Sequence, residues 1–588
     1  MRRPSTLPRG EPGRAGSSGD AARGLGGYPV AVLAGGITAA AVVVWMTGEL
    51  AARLFAGSWP NVGAVDVALT LARLPKAGSD PRQAWPAPVR AELPAGGWLY
   101  AVGAAVVAAI SLLGGSAWLL ARRLRAEHGG RRSRGARWAT RHDLAPLRVR
   151  QAGDGRLVLG RSGRALVATE ARHSVLVLGP TQSGKTTGLA LPALLEWNGP
   201  VLATSVKADL VAFSRQSRGG RGRTWVFDPT ASVRAGPSSR WSPLIEASTW
   251  TGAQRMAAWL VEATPSRAGL SEGAFWYSAA AKLLAPLLLA AATGGRSMTD
   301  VVRWTNLQES NEVEILLEEA GEAEAGVALW ASVGRDERIR SSIYTTLETV
   351  LAPYEDPVVA ASADPPDINP RALLEGEHTL YLCGPAHEQA RVQGVFCGLV
   401  ASVVNAAVER VHRLDRPLDP PLLVVLDEVA NIAPLRELDT LASTAAGMGI
   451  QLVTVCQDLA QLANRYGAER ARTIANNHRA KVVLSGVGDV GTLDTLSGLA
   501  GEQAVKEETV TADLRHGSRS TSSSVAYRRL APSDELRRIR PGEGVLVYGH
   551  LPPARIVLRP WYRDAGLRRL ANGGSTHLTA GDPSKESA

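Results

Sequence analysis

The first residues in this chain equipped for chemistry are a lysine and a threonine behind a glycine-rich loop. Gly179-Pro180-Thr181-Gln182-Ser183-Gly184-Lys185-Thr186-Thr187 follows the apolar run of residues 173–178 and leads into a helical run that reaches Trp197. A loop of this spacing between a strand and a helix is a Walker A motif. Its glycines let backbone N–H groups approach phosphate oxygens, and the helix N-terminus adds positive potential. Lys185 then reaches the terminal phosphates of ATP, and the Thr186 hydroxyl ligates Mg2+. Residues 179–187 together are the expected nucleotide-binding loop.

The second group is Asp427-Glu428, at the end of the apolar run Leu422-Leu423-Val424-Val425-Leu426, about 240 residues further on. Adjacent carboxylates after a strand often mark only a solvated loop, but downstream of a Walker A loop they fit its acidic partner. Asp427 suits holding Mg2+ through its water shell, and Glu428 suits a general base that orients and polarises the attacking water. A neighbouring strand, residues 451–456, delivers Gln457 at its C-terminal end, the edge that faces the ligand crevice in parallel sheets. There the amide can hydrogen-bond the γ-phosphate or the attacking water; the alternative is that Gln457 caps the following helix. Lys185, Glu428 and Gln457 are thus the expected catalytic residues, with Thr186 and Asp427 on the metal.

Such residues need strands to carry them. Apolar runs at residues 175–178, 201–204, 224–227, 379–382, 422–426, 451–455 and 481–484 alternate with helical runs, the pattern of an α/β domain with a parallel sheet. Residues 248–357 hold no such run and read as an all-helical insertion, which divides the ATPase domain into 151–247 and 358–560. The polar stretch 561–588 reads as a disordered tail.

Upstream, residues 24–48 carry no charge, and neither do residues 93–121, which Trp98 and Tyr100 flank at one end and Trp118 at the other. Each is long enough to cross a bilayer. Arg2, Arg3, Arg9, Arg14 and Arg23 precede the first span, in a tail of residues 1–23. Arg122, Arg123, Arg125, Arg131, Arg132, Arg134 and Arg137 follow the second, in a basic linker of residues 122–150. Both ends are therefore expected in the cytoplasm, with residues 49–92 as an external loop. The basic run also has the charge for a DNA funnel, although a topology signal and lipid anchor is the commoner use.

The bulk composition agrees with a multi-domain globular protein: 588 residues, 45% hydrophobic and 20% charged, with a net charge of +10 that favours anionic partners. The three cysteines, Cys383, Cys397 and Cys456, sit in or beside apolar runs without ligand spacing, so neither a disulfide framework nor a zinc site is expected.

Around the nucleotide motifs, Gly135-Ala-Arg-Trp-Ala-Thr140, Thr204-Ser-Val-Lys207-Ala-Asp209, Arg240-Trp-Ser-Pro-Leu244, Phe275-Trp-Tyr-Ser-Ala-Ala280, Asp427-Glu-Val-Ala-Asn431-Ile-Ala-Pro434-Leu435, Val455-Cys-Gln457-Asp-Leu-Ala-Gln461 and Ile474-Ala-Asn-Asn-His478 follow one another in order. In them the chain, from about residue 135 to 560, resembles the TraG/TraD-like coupling ATPases of conjugative type IV secretion. The resemblance implies a RecA-like P-loop NTPase domain with an all-helical insertion, preceded by a two-helix transmembrane anchor in the inner or plasma membrane. It further implies a homohexamer that binds ATP between subunits and passes DNA through its channel, with a relaxase and secretion-channel proteins as partners. One stretch departs from the pattern. Many relatives carry an arginine after the helix that follows the acidic pair, directed at a neighbour's nucleotide, but here the chain reads Ser443-Thr-Ala-Ala-Gly-Met-Gly449. Arg472 and Arg479 are the candidates to replace it. An FtsK-like chromosome translocase would share the anchor and loop, but no winged-helix tail is legible. A protein-exporting ATPase is the other catalytic alternative, and a non-catalytic scaffold is disfavoured because Lys185, Thr186, Asp427 and Glu428 are all present.

Overall fold

The computed structural model describes residues 28–95, 97–129, 135–153, 155–233, 236–264, 273–513 and 518–573. They fall into two compact units, residues 1–134 and 135–588. In the first unit Tyr28–Phe55 and Gly97–Gly129 are long helices, joined through short ones at Ala64–Arg73, Leu74–Lys76, Pro81–Ala84 and Ala87–Arg90. Trp85, only 2% exposed, fills the centre of this unit among Ala51, Val67, Val89 and Leu99. Its indole lies against the first helix at Gly48, where a Cβ would meet it at 2.3 Å. The first helix runs past residue 48 because Glu49 is buried and accepts the Val62 N–H at 2.7 Å, so its carboxylate is satisfied without water. The tail of residues 1–23, the start of the first expected span at residues 24–27, and Arg131, Arg132 and Arg134 lie outside the described residues.

The second unit is built on a mixed sheet. Seven of its strands are parallel: β1 Val175–Leu178, β2 Val201–Ser205, β3 Thr224–Phe227, β4 Thr379–Cys383, β5 Leu422–Leu426, β6 Ile450–Cys456 and β7 Ala480–Leu484. They stand in the order β7-β1-β6-β5-β2-β4-β3. Successive residues of each strand enter different cores. Leu176, Leu178, Leu380, Leu382, Val424 and Leu426 join the helices on one face. Val175, Val177, Tyr381, Cys383, Val425 and Val455 join the helices on the other. Both faces are covered, so these strands read in the sequence as unbroken apolar runs rather than as alternation.

Sequence reading missed the antiparallel continuation. On the outer side of β7 lies Glu543–Tyr548, followed by Ala554–Val557, Val158–Ser162, Ala165–Ala168 and Arg148–Val149. Most of these strands are short and partly exposed, and Gly160 interrupts one of them; Val545-Leu546-Val547-Tyr548 is an apolar run that the sequence reading passed over. A separate two-stranded ribbon, Glu502–Asp513 paired with Ser518–Arg529, is charged and hydroxyl-rich and stands largely in solvent.

Between β3 and β4 the described residues from Trp250 to Ala361 form helices without a strand. The apolar helix Gly273–Thr293 is their centre, with Leu283, Leu284, Leu287 and Leu288 fully buried. Four described helices are long and apolar enough to cross a membrane: Gly36–Phe55, Gly97–Leu120, Phe275–Thr293 and Gln389–Leu414. The last two are mostly buried inside the second unit and serve as its core, whereas the first two are mostly exposed.

The stretch expected to be a disordered tail begins as ordered structure. The Trp561 N–H donates to the Thr187 carbonyl at 3.1 Å, the Trp561 ring packs on Phe213 at 4.4 Å, and Ala565–Ala571 is a helix capped by Asp564. Leu567 and Ala571 occupy one face of that short helix and are buried, a spacing of four that a polar composition conceals. Residues 574–588 lie outside the described residues. The linker is also shorter than expected, because Leu144 and Leu147 are buried and the Ala139 N–H donates to Pro553 at 2.8 Å.

The segment after the last sheet strand is fixed by Arg559, 8% exposed. It forms a fork on Glu196 at 2.8 and 3.0 Å and reaches Asp564 at 3.1 Å. Burial pushes the Glu196 carboxyl upward and Arg559 pulls it back. Arg559→Met should therefore destabilise the fold by about 3 kcal/mol, because it leaves a buried charge unpaired, whereas adding Glu196→Gln should recover part of the loss. Denaturant unfolding of the two variants tests this, and equal midpoints for wild type and Arg559→Met would refute it.

Candidate functional site

The order β1-β6-β5 sets three strand ends side by side. The Walker A loop leaves β1, Gln457 follows β6, and Asp427 and Glu428 follow β5. The Gly179 N–H donates to the Cys456 carbonyl at 3.2 Å, which ties the start of the loop to β6. Only glycine fits there, since a Cβ would stand 2.6 Å from Ser183 Oγ. Gly184, with φ of +90°, makes the reversal that brings Lys185 and Thr186 to the start of the next helix. Pro180 and Ser183 are half-buried, while Thr181 and Gln182 are exposed at the tip, where Gln182 also takes a positive φ of 65°. The first turn after the loop, Thr186–Ala190, is wider than an α-helix and passes into Leu191–Glu196. Thr187 sits in that turn and holds the Trp561 backbone.

Lys185 is buried and its Nζ donates to the Gly179 carbonyl at 2.6 Å, folded back over its own loop. Burial lowers its pKa, and the carboxylates of Asp427 and Glu428 oppose the shift. The Thr186 hydroxyl donates to Asp427 Oδ2 at 3.1 Å. Asp427 is 6% exposed, and burial pushes its carboxyl up to about 6, against the pull of Thr186 and Lys185. A carboxylate withdrawn from water beside a hydroxyl and an ammonium fits a divalent cation, which would supply the charge that solvent no longer does. Ser183 Oγ, buried without a hydrogen-bond partner, fits a phosphate oxygen in the same loop. The residues present thus suit ATP and Mg2+: residues 179–187 for the phosphates, Thr186 and Asp427 for the metal.

Glu428 is half-buried, adopts a left-handed φ of 54°, and accepts the Asn431 side-chain amide at 3.3 Å. That uncommon backbone turns the chain sharply at the end of β5. The next helix, Leu459–Tyr466, is capped by Asp458, which accepts the Gln461 N–H at 2.8 Å; Gln457 contributes its own N–H to the Gln461 side chain at 2.9 Å. The capping alternative for Gln457 is thereby filled by its neighbour.

Two groups escaped the sequence reading as parts of this site. Thr204, at the end of β2, donates its hydroxyl to the Asp427 carbonyl at 3.1 Å, and Asn431 holds Glu428. Asn431 stands three residues after Glu428, within reach of one turn, a signal that the sequence does contain. His478 is a strut of the sheet: fully buried, it bonds Thr454 Oγ1 at 2.8 Å and the Ile474 carbonyl at 2.7 Å, and burial pushes it down to about 4.

Arg472 and Arg479 are both exposed. Arg479 lines a groove of about 510 Å³ together with Ser443, Ala446, Lys481 and His173. It thus stands beside the stretch that lacks the expected arginine. His173 precedes β1 and Arg479 precedes β7, so the groove opens at the end of the sheet opposite the Walker A loop.

A P-loop nucleoside-triphosphatase fold, with an acidic pair one strand removed from its phosphate loop, is the class these features define. Residues 141–584 match the family described as type IV secretory system conjugative DNA transfer. A conjugal transfer protein TraG of Escherichia coli is 26% identical over 473 residues, 71% of this chain and 72% of that protein. VirD4 of Agrobacterium fabrum is 25% identical over 69% of this chain and 61% of its own length. The plasmid coupling protein TrwB in complex with ADP and Mg2+ shares the fold with a TM-score of 0.56 and 21% identity, covering 73% of this chain and 94% of that one. The chain belongs to the conjugative DNA transfer family of type IV secretory systems.

Lys185→Ala should weaken ATP binding if the residue meets the phosphates as the loop's motif implies, because the loop then loses its cation. Glu428→Gln keeps shape and leaves Asp427 for the metal, so ATP should still bind while turnover falls by about 10²–10⁴-fold. Nucleotide titration beside single-turnover hydrolysis separates the two. Near-normal hydrolysis by Glu428→Gln would remove Glu428 from the role of base.

Proposed function

We propose that this chain is a membrane-anchored ATPase that drives DNA into a conjugative type IV secretion system, acting as a homohexamer with a relaxase and secretion-channel proteins. The observation that carries the reading is the joining of the phosphate loop with Asp427 and Glu428, at the ends of strands separated by β6 alone, in a chain of this family. Bound ATP with Mg2+ supplies an activated γ-phosphate. Around it Lys185 meets phosphate charge, Glu428 takes the proton of the attacking water, and Gln457 orients that water or the γ-phosphate.

Arg479 is the cation assigned here to a neighbour's nucleotide. The parallel strands separate its groove from its own chain's phosphate loop by roughly four residues of extended chain, about 13 Å. A group on that edge is suited to serve the next subunit. ATP turnover of the full chain should thus rise more than linearly with protein concentration, increase with added DNA, and lose the DNA effect as salt is raised. Arg479→Ala should remove the concentration dependence and Arg472→Ala should retain it. A rate that is linear in enzyme and indifferent to DNA would defeat the proposal; stimulation by an exported protein instead would point to polypeptide as the substrate.

The helices Tyr28–Phe55 and Gly97–Gly129 are proposed as the anchor. Leu112 and Leu113 are 71% and 72% exposed on the second, and Ile37, Val42 and Trp45 are exposed on the first. Apolar surface of that kind along a helix fits lipid rather than water. With the arginines at both outer ends, the two termini belong in the cytoplasm. Reporter fusions near Gly78 and after Ala126 should report opposite sides of the membrane, and cytoplasmic activity at Gly78 would rule out the hairpin.

A further inference from the structure

Glu428 is held by more than its own turn. Its carboxylate accepts Asn431 Nδ2 at 3.3 Å, and its carbonyl accepts the Asn431 N–H at 2.9 Å. The Asn431 carbonyl accepts Gln393 Nε2 at 2.9 Å, and Gln393 Oε1 accepts Arg465 Nη2 at 3.0 Å. Gln393 is 5% exposed, so neither end of its amide has water to fall back on. Only one orientation of the amide serves both partners, because the reverse would set its NH2 against a guanidinium and its oxygen against a carbonyl. The chain of bonds therefore has a single donor-to-acceptor sense from Arg465 to Glu428.

The three residues come from three elements. Asn431 lies in the loop after β5. Gln393 lies near the start of the helix Gln389–Leu414, and Arg465 near the end of the helix Leu459–Tyr466, which begins two residues after Gln457. Glu428 takes a left-handed conformation that L side chains rarely adopt. The Val429 N–H ties the chain just after Glu428 to the Val455 carbonyl at 3.3 Å, and the Gln393 amide ties the far side of the turn at Asn431, the residue whose side chain holds the Glu428 carboxylate.

We propose that Gln393 is a positioning residue for hydrolysis: it fixes the Glu428 loop against Arg465, so that the carboxylate is aligned only while the helices of Gln393 and Arg465 keep their present relation. The proposal rests on Glu428 being the base. In the full chain, Gln393→Leu should lower kcat by about tenfold to a hundredfold, the scale of a misplaced catalytic group. The KM for ATP should stay within about twofold, since no group that binds the nucleotide is touched. Gln393→Glu keeps the volume and the Arg465 contact but has no hydrogen to give Asn431, so it should match Gln393→Leu; it also carries the test if the leucine variant does not fold. In a Glu428→Gln background, Gln393→Leu should cost less than about twofold further, because there is no base left to align. Equal losses in both backgrounds, a loss confined to KM, or a normal rate for Gln393→Glu would overturn the proposal. A normal rate for Glu428→Gln alone would instead defeat the assignment of the base, and the tether with it.

Discussion

A carboxylate taken out of water at the end of a strand is the constraint around which this fold is arranged. Asp427 keeps its place because Thr186 from the phosphate loop bonds its side chain and Thr204 from the neighbouring strand bonds its carbonyl. Each contact requires a particular strand order. Thr204 reaches it because β2 adjoins β5, and Thr186 reaches it because β1 lies one strand beyond, across β6. Burial alone drives the group toward protonation, and the nearby Lys185 is itself weakened as a cation by the same burial. The same burial thus works on the acid and on the base in opposite senses, raising one pKa and lowering the other.

How much of this is legible in the sequence depends on whether the information is local. The phosphate loop is a contiguous run whose glycines each have a steric task, and it can be read residue by residue. The seven parallel strands are legible for a different reason: buried on both faces, they must be apolar throughout. The antiparallel strands beside β7 lack that requirement, and Val158–Ser162 even contains a glycine and an arginine. The helix Ala565–Ala571 needs only Leu567 and Ala571 to dock, too few to register against its polar neighbours. Nor can spacing reveal that Arg479 and Ala446 line one groove, since they come from two elements that only the sheet brings together.

Apolar helices illustrate a further limit of composition. Phe275–Thr293 and Gln389–Leu414 satisfy the same criteria of length and hydropathy as the two helices of the first unit. What separates them is the company they keep. The core of the helical insertion closes over Leu283, Leu284, Leu287 and Leu288, whereas Leu112, Leu113, Leu119 and Leu120 are exposed in their own unit. Charge alone would have misplaced the first helix, whose path continues through Glu49 because a backbone amide, not solvent, satisfies that carboxylate.

The helix Gln389–Leu414 connects the chemistry to the rest of the second unit. Near its start Gln389 bonds the Gly384 carbonyl, just after β4, and Gln393 bonds the Asn431 carbonyl in the loop that follows Glu428. A turn later, Gly398 allows the helical insertion to close on it: a Cβ there would lie 3.1 Å from Trp241, 3.4 Å from Leu260 and 3.5 Å from Met256. The same helix thus touches the loop after Glu428 and the first helix of the insertion. A side chain larger than hydrogen at Gly398 would press on the Trp241 ring, so the helix packs closely against its neighbours at this point.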